Sequence, residues 1–84
     1  MATDDEIFAK LCRLIRPFNS EDVRLERNTD IAADLNIDSV SVMDFIMEVE
    51  DEFDIDIPLN VLGETRTLND LLNVVKSRIA ENSK

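Results

Sequence analysis

Eighty-four residues with 44% apolar content allow one small packed domain and leave no room for a second core. A formal net charge of −10, from 19 acidic against 9 basic residues and no His, sets the chain against polyanions such as nucleic acid and anionic membrane surfaces. One Gly, two Pro and neither Trp nor Tyr, with many Leu, Ile, Val, Asp and Glu, disfavour a turn-rich β fold.

In chain order, Thr3-Asp4-Asp5-Glu6 has the spacing of a capping box. Ile7, Phe8, Leu11, Leu14, Ile15 and Phe18 then recur at helical spacing, and Pro17 is expected to end this first helix near Arg16. The lone Cys12 cannot form an internal disulfide, and its spacing from Phe8 and Ile15 suits a small core residue. Residues 19–37 read as a long loop with one short turn, anchored by Val23, Leu25, Ile31, Leu35 and Ile37; loops of that length in small domains are usually functional. A second helix is predicted from Asp38 to about Phe53, a short one around Asn60–Leu62 ending at Gly63, and a last one opened by Thr67-Leu68-Asn69-Asp70. That makes an all-α, four-helix bundle over residues 1–84: three main helices, one short helix, and a long loop between the first and second.

No apolar run reaches the ~20 residues of a membrane span, and the acidic "MATDDE" lacks the features of a signal peptide. The expectation is a cytoplasmic, monomeric protein without nucleic-acid or membrane partners.

From Asn28 to Thr65 there is no Lys or Arg, while acids stand at 30, 34, 38, 44, 48, 50, 51, 52, 54, 56 and 64. Within that block, Asp34-x-Asn36-x-Asp38 opens like a calcium-binding loop, yet Ser39 stands where the sharp turn needs Gly and Phe45 where the bidentate Glu belongs. Without His, neither a zinc site nor a Ser-centred charge relay can be assembled. The expectation is a protein with no metal and no catalysis of its own.

At 100° per residue, Val42, Phe45, Ile46, Val49 and Phe53 share an arc of about 100° and form a core stripe. The opposite arc collects Val40, Met43, Asp44, Met47, Asp51 and Asp54. Three apolar side chains among three acids make a poor second buried face, because an unpaired buried carboxylate is costly. They suit a recognition surface for a basic partner. Asp38 is a good N-cap, and Ser39 then sits in the first turn, where free amides and the helix dipole favour a phosphate.

The stretch "DLNIDSVSVMDFIMEVEDEFDIDIP" resembles the signature of acyl carrier proteins: an Asp-Ser pair opening an acidic, apolar-striped helix, then Glu-Asp-Glu-Phe-Asp and Ile-Pro. The resemblance implies that Ser39 carries 4′-phosphopantetheine, transferred from coenzyme A by a phosphopantetheinyl transferase. The arm's thiol would hold acyl groups as thioesters for enzymes of fatty acid or specialised lipid biosynthesis, with basic docking surfaces. It further implies partner contacts at Asp38, Val40, Met43, Asp44, Met47, Glu50, Asp51 and Ile57. Phe45, Ile46, Val49 and Phe53 match core positions that can part to shelter an acyl chain.

The chain departs from the pattern in three places. Val40 replaces the common Leu, Asn36 stands for a usual Gly, and Leu59-Asn60-Val61-Leu62 replaces an acidic run, which points to a specialised carrier. A carrier of aminoacyl, peptidyl or polyketide units is the near alternative. From another class, an acidic helical adaptor or calcium-sensor-like protein without a prosthetic group remains open.

Overall fold

The computed structural model describes residues 3–19 and 22–82. It consists of α1 (Asp4–Ile15), a 3-10 turn (Arg16–Phe18), α2 (Ser39–Phe53), the single-turn α3 (Leu59–Leu62) and α4 (Leu68–Asn82). The predicted all-α bundle with its long first connection is what forms.

Each boundary has a local chemical cause. The Thr3 hydroxyl oxygen accepts the Glu6 N–H at 3.2 Å and its proton is donated to the Glu6 carboxylate, giving the expected cap in a side-chain variant of the box. α1 closes at Ile15, and the chain tightens through Pro17 in the 3-10 turn. α2 ends where Asp54 takes φ 54°, a left-handed cap whose N–H donates to the Glu50 carbonyl. Pro58 precedes α3, which stops at Gly63.

The core gathers the inner faces of α1 (Ile7, Leu11, Ile15), α2 (Phe45, Ile46, Val49) and α4 (Leu68, Leu71, Leu72, Val75). Cys12, expected in that core, is only half-buried at its edge; burial pushes its thiol pKa up, with the Arg16 charge opposing.

Residues 20 and 21 of the long connection lie outside the described residues. The remainder is fixed rather than slack. Ile31, Leu35 and Ile37 are buried, and Asn36 takes φ 53°, the left-handed conformation that Asn tolerates best after Gly. An isolated antiparallel bridge joins Asp30 to Thr67. Around it, Ile31 N–H donates to the Arg66 carbonyl at 2.9 Å, Leu68 N–H to Thr29 at 3.0 Å and Asn69 N–H to Arg27 at 2.8 Å. Two of these satisfy amides at the start of α4 that its own helix cannot. Asp70 and Thr67 complete that end: the carboxylate accepts from the Arg66 and Thr67 N–H groups, and the Thr67 hydroxyl accepts from Asp70 N–H. The loop is thereby stapled to the start of α4.

Candidate functional site

The site is built at the start of α2. Asp38, in extended conformation, accepts the Ser41 N–H at 2.8 Å. That bond, with further support from the Ser41 side chain and the Val40 amide, holds the Asp38 carboxyl below its usual range. Ser39 is the first helical residue and is exposed, and its hydroxyl makes no hydrogen bond among the described residues. A nucleophilic oxygen therefore stands open to solvent at the positive end of a 15-residue helix.

One face of α2 continues from that point. Among the described residues the exposed large hydrophobics are Val40 (71% accessible), Met43 (40%), Met47 (59%) and Leu59 (73%). Asp44, Glu48 and Asp51 are exposed beside them, and none forms an ion pair among the described residues. The expected partition of the helix is therefore the observed one, with Phe45, Ile46 and Val49 buried and Phe53 half-buried on the other side.

Two of the expected partner residues lie elsewhere. Ile57 is in the core, 8% accessible, and presents no side chain to a partner. Half-buried Glu50 accepts the Ile57 N–H at 2.9 Å and ties the 55–57 link to α2. Glu50 thus spends one carboxylate oxygen holding this link against α2. Leu59, two residues on, opens α3 and is exposed. Leu59 was no part of the expected docking set. Its signal, an apolar residue opening a four-residue helix after Pro58, is too short for periodicity to place on a face.

A groove of about 440 Å³ opens between the stapled loop, α2 and the end of α3, lined by Ile31, Val42, Ile46 and Leu62, with Asp30, Thr65 and Arg66 at its polar side. Of the residues expected to shelter a chain, Ile46 lines it; Phe45, Val49 and Phe53 do not. Ile31 and Leu62 come from segments far apart in the chain, and no spacing rule could have joined them.

The phosphopantetheine attachment site family matches residues 6–75, a span that contains this whole arrangement. The chain belongs to the acyl carrier protein family. It is 33% identical over 76 residues to an acyl carrier protein of Lactobacillus acidophilus, covering 89% of this chain and 95% of that one. A second, from Kocuria rhizophila, is 33% identical over 78 residues, covering 89% and 94%. A probable acyl carrier protein of Caulobacter vibrioides is 42% identical over 53 residues, 63% of this chain and 62% of its own. The prosthetic group of the family's attachment domain is 4′-phosphopantetheine. The donor chemistry here fits such a group: an exposed hydroxyl for the phosphodiester, helix-start amides for its charge, and an apolar groove near by. Among the described residues no helix is long and apolar enough to cross a membrane.

Proposed function

We propose that Ser39 is the residue that carries 4′-phosphopantetheine, and that residues 1–84 serve as one carrier domain. The observation that carries this reading is the exposure of Ser39 as the first residue of α2, directly behind the Asp38 cap. A transferase must bring the phosphate of coenzyme A to that oxygen, and nothing in the described chain covers it.

The arm's terminal thiol then holds acyl groups as thioesters for separate enzymes, and the chain itself catalyses nothing. Val40, Met43, Asp44, Met47 and Asp51, with Asp38 at their head, form the docking face for partners that present Lys and Arg around an apolar contact. Leu59 extends the face onto α3. An exposed Leu in that place favours a partner whose contact there is apolar, and supports a carrier dedicated to one lipid pathway. Acyl cargo is favoured by the groove over Val42 and Ile46, whose apolar lining suits an alkyl chain that offers no polar handle. The unpaired Cys12 fits work in the reducing cytoplasm.

Intact-mass measurement after coexpression with a broad-specificity phosphopantetheinyl transferase tests the assignment. One pantetheine arm is expected on the wild-type chain and none on Ser39→Ala. Unmodified wild-type protein beside an active transferase would overturn the reading.

A further inference from the structure

The groove between the stapled loop, α2 and α3 is not apolar throughout. Its wall of Ile31, Val42, Ile46 and Leu62 takes an alkyl stretch, but Asp30, Thr65 and Arg66 line it too, and a plain chain leaves them unused. At about 440 Å³ the groove falls within the roughly 300–1,000 Å³ of sites that hold whole small molecules, so wall and polar side can act on one guest.

The polar side is electrically balanced, one carboxylate against one guanidinium, and so selects no net charge. What it offers is a gap. Arg66 Nη2 stands 4.0 Å from Asp30 Oδ2, near enough to attract and too far for a hydrogen bond. The other Asp30 oxygen is committed: Oδ1 accepts the Ala32 and Ala33 amides at 3.1 and 2.8 Å, which holds the carboxylate in place. The Thr65 hydroxyl is committed as a donor, to the Val61 carbonyl at 2.9 Å. A donor and an acceptor so spaced are bridged by one oxygen that accepts from the first and donates to the second. A hydroxyl does both with a single atom. A keto oxygen would leave Asp30 unpaired, a carboxylate would be repelled by it, and an ammonium group would oppose Arg66.

We propose that the groove is a site for a hydroxylated acyl chain, with its methylenes on Ile31, Val42, Ile46 and Leu62 and its hydroxyl between Arg66 and Asp30. The inference names the cargo of the carrier reading and rests on that reading. The thioester stays with the arm on Ser39, and no residue from 34 to 41 lines the groove, so the hydroxyl belongs to the outer half of the chain rather than beside the thioester. Arg66 is exposed, so solvent competes for its donors and the preference over a plain chain is a modest one.

The test loads the full-length protein, through its pantetheine arm, with dodecanoyl, ω-hydroxydodecanoyl, mid-chain hydroxydodecanoyl or the matching mid-chain keto group. Cleavage of each thioester by hydroxylamine is then timed, since a sheltered chain holds its thioester back from the reagent. At least one of the two hydroxylated chains is expected to be cleaved about fivefold more slowly than dodecanoyl, the effect of one net hydrogen bond, with the keto chain close to dodecanoyl. Arg66→Met keeps the stem and removes the donor, and should bring the ratio of hydroxylated to plain chain near one; Arg24→Met, outside the groove, should leave it unchanged. Taking the ratio within each variant cancels any change in how the plain chain is held. Equal rates for hydroxylated and plain chains, a keto chain protected as well as the hydroxylated one, or a preference that survives Arg66→Met overturns the proposal. The samples are weighed intact before cleavage. A loaded protein without preference disproves this site alone, whereas a chain that takes up no arm disproves the carrier reading.

Discussion

The α1–α4 side of the bundle and the outer face of α2 solve the same problem of charge in opposite ways. On the first, cations and anions are matched: Lys76 meets Asp4 at 2.9 Å, Arg27 meets Asp5 at 3.0 Å, and Arg78 meets Glu81 at 3.1 Å. On the second, Asp44, Glu48 and Asp51 stand exposed around Met43 and Met47, with no cation on the helix. The few Lys and Arg neutralise part of the surface, and the outer face of α2 receives none of them. The difference teaches that this face carries its share of the acidic excess with no cation among its own residues. It is the kind of local imbalance that a basic partner resolves.

The largest effect expected from breaking this comparison comes from the hinge between the two regions. Phe45 is fully buried on the inner face of α2 and meets Phe18 at the end of α1. Phe45→Ala should cost about 3–5 kcal/mol in urea unfolding, a large share of what a domain of this size possesses. A loss below ~1 kcal/mol would mean that α2 is not anchored through this ring.

A smaller effect belongs to the seam where the two charge regimes touch. Lys10 and Arg13 of α1 both reach Glu52 of α2, and all three side chains are partly exposed. Glu52→Gln should cost about 0.4–2 kcal/mol, since it breaks two exposed pairs that contribute ~0.2–1 kcal/mol each at low salt. Salt separates the regimes. Screening relieves repulsion along α2, so the wild-type melting temperature should climb with NaCl or with divalent cations. Glu52→Gln should climb more steeply, because it lacks the two attractive pairs at this seam that salt weakens in the wild type. A wild-type melting temperature indifferent to ionic strength would contradict the acidic crowding.

These elements differ in how plainly the sequence announced them. The two faces of α2 were legible because fifteen residues give periodicity four turns in which to act. The Asp38 cap and the exposed Ser39 followed from local chemistry, and the left-handed Asn36 from a residue-type preference. What escaped was non-local. Ile57 sits after a helix and before a proline, where no pattern says which way a side chain turns, and the hydrogen bond from its amide to Glu50 joins residues seven apart. The backbone bridge from Asp30 to Thr67 pairs residues that no propensity connects, and the groove over Ile46 is bordered by Asp30 and Arg66 on the two segments it joins. Cys12 shared the spacing of its core neighbours, yet lies at the edge of the helical stripe, where burial is partial.

The smallest effect on stability should accompany the most selective effect on function, and Met47 is where the two separate. Its side chain is 59% accessible and points away from the Phe45–Val49 core. Substituting Glu there removes little buried area, so stability should move by no more than ~0.5 kcal/mol, the range of surface changes. For a partner, the same change replaces an apolar contact at the centre of the ridge with a fourth carboxylate beside Asp44, Glu48 and Asp51. A socket shaped for methionine must then desolvate a charge, and the kcat/KM of acyl-transferring partners should fall by about tenfold or more. The two measurements are read together. A preserved melting temperature with failed transfer assigns Met47 to recognition, while a melting temperature lowered by many degrees would place Met47 in the core and dissolve the contrast between the two sides of α2.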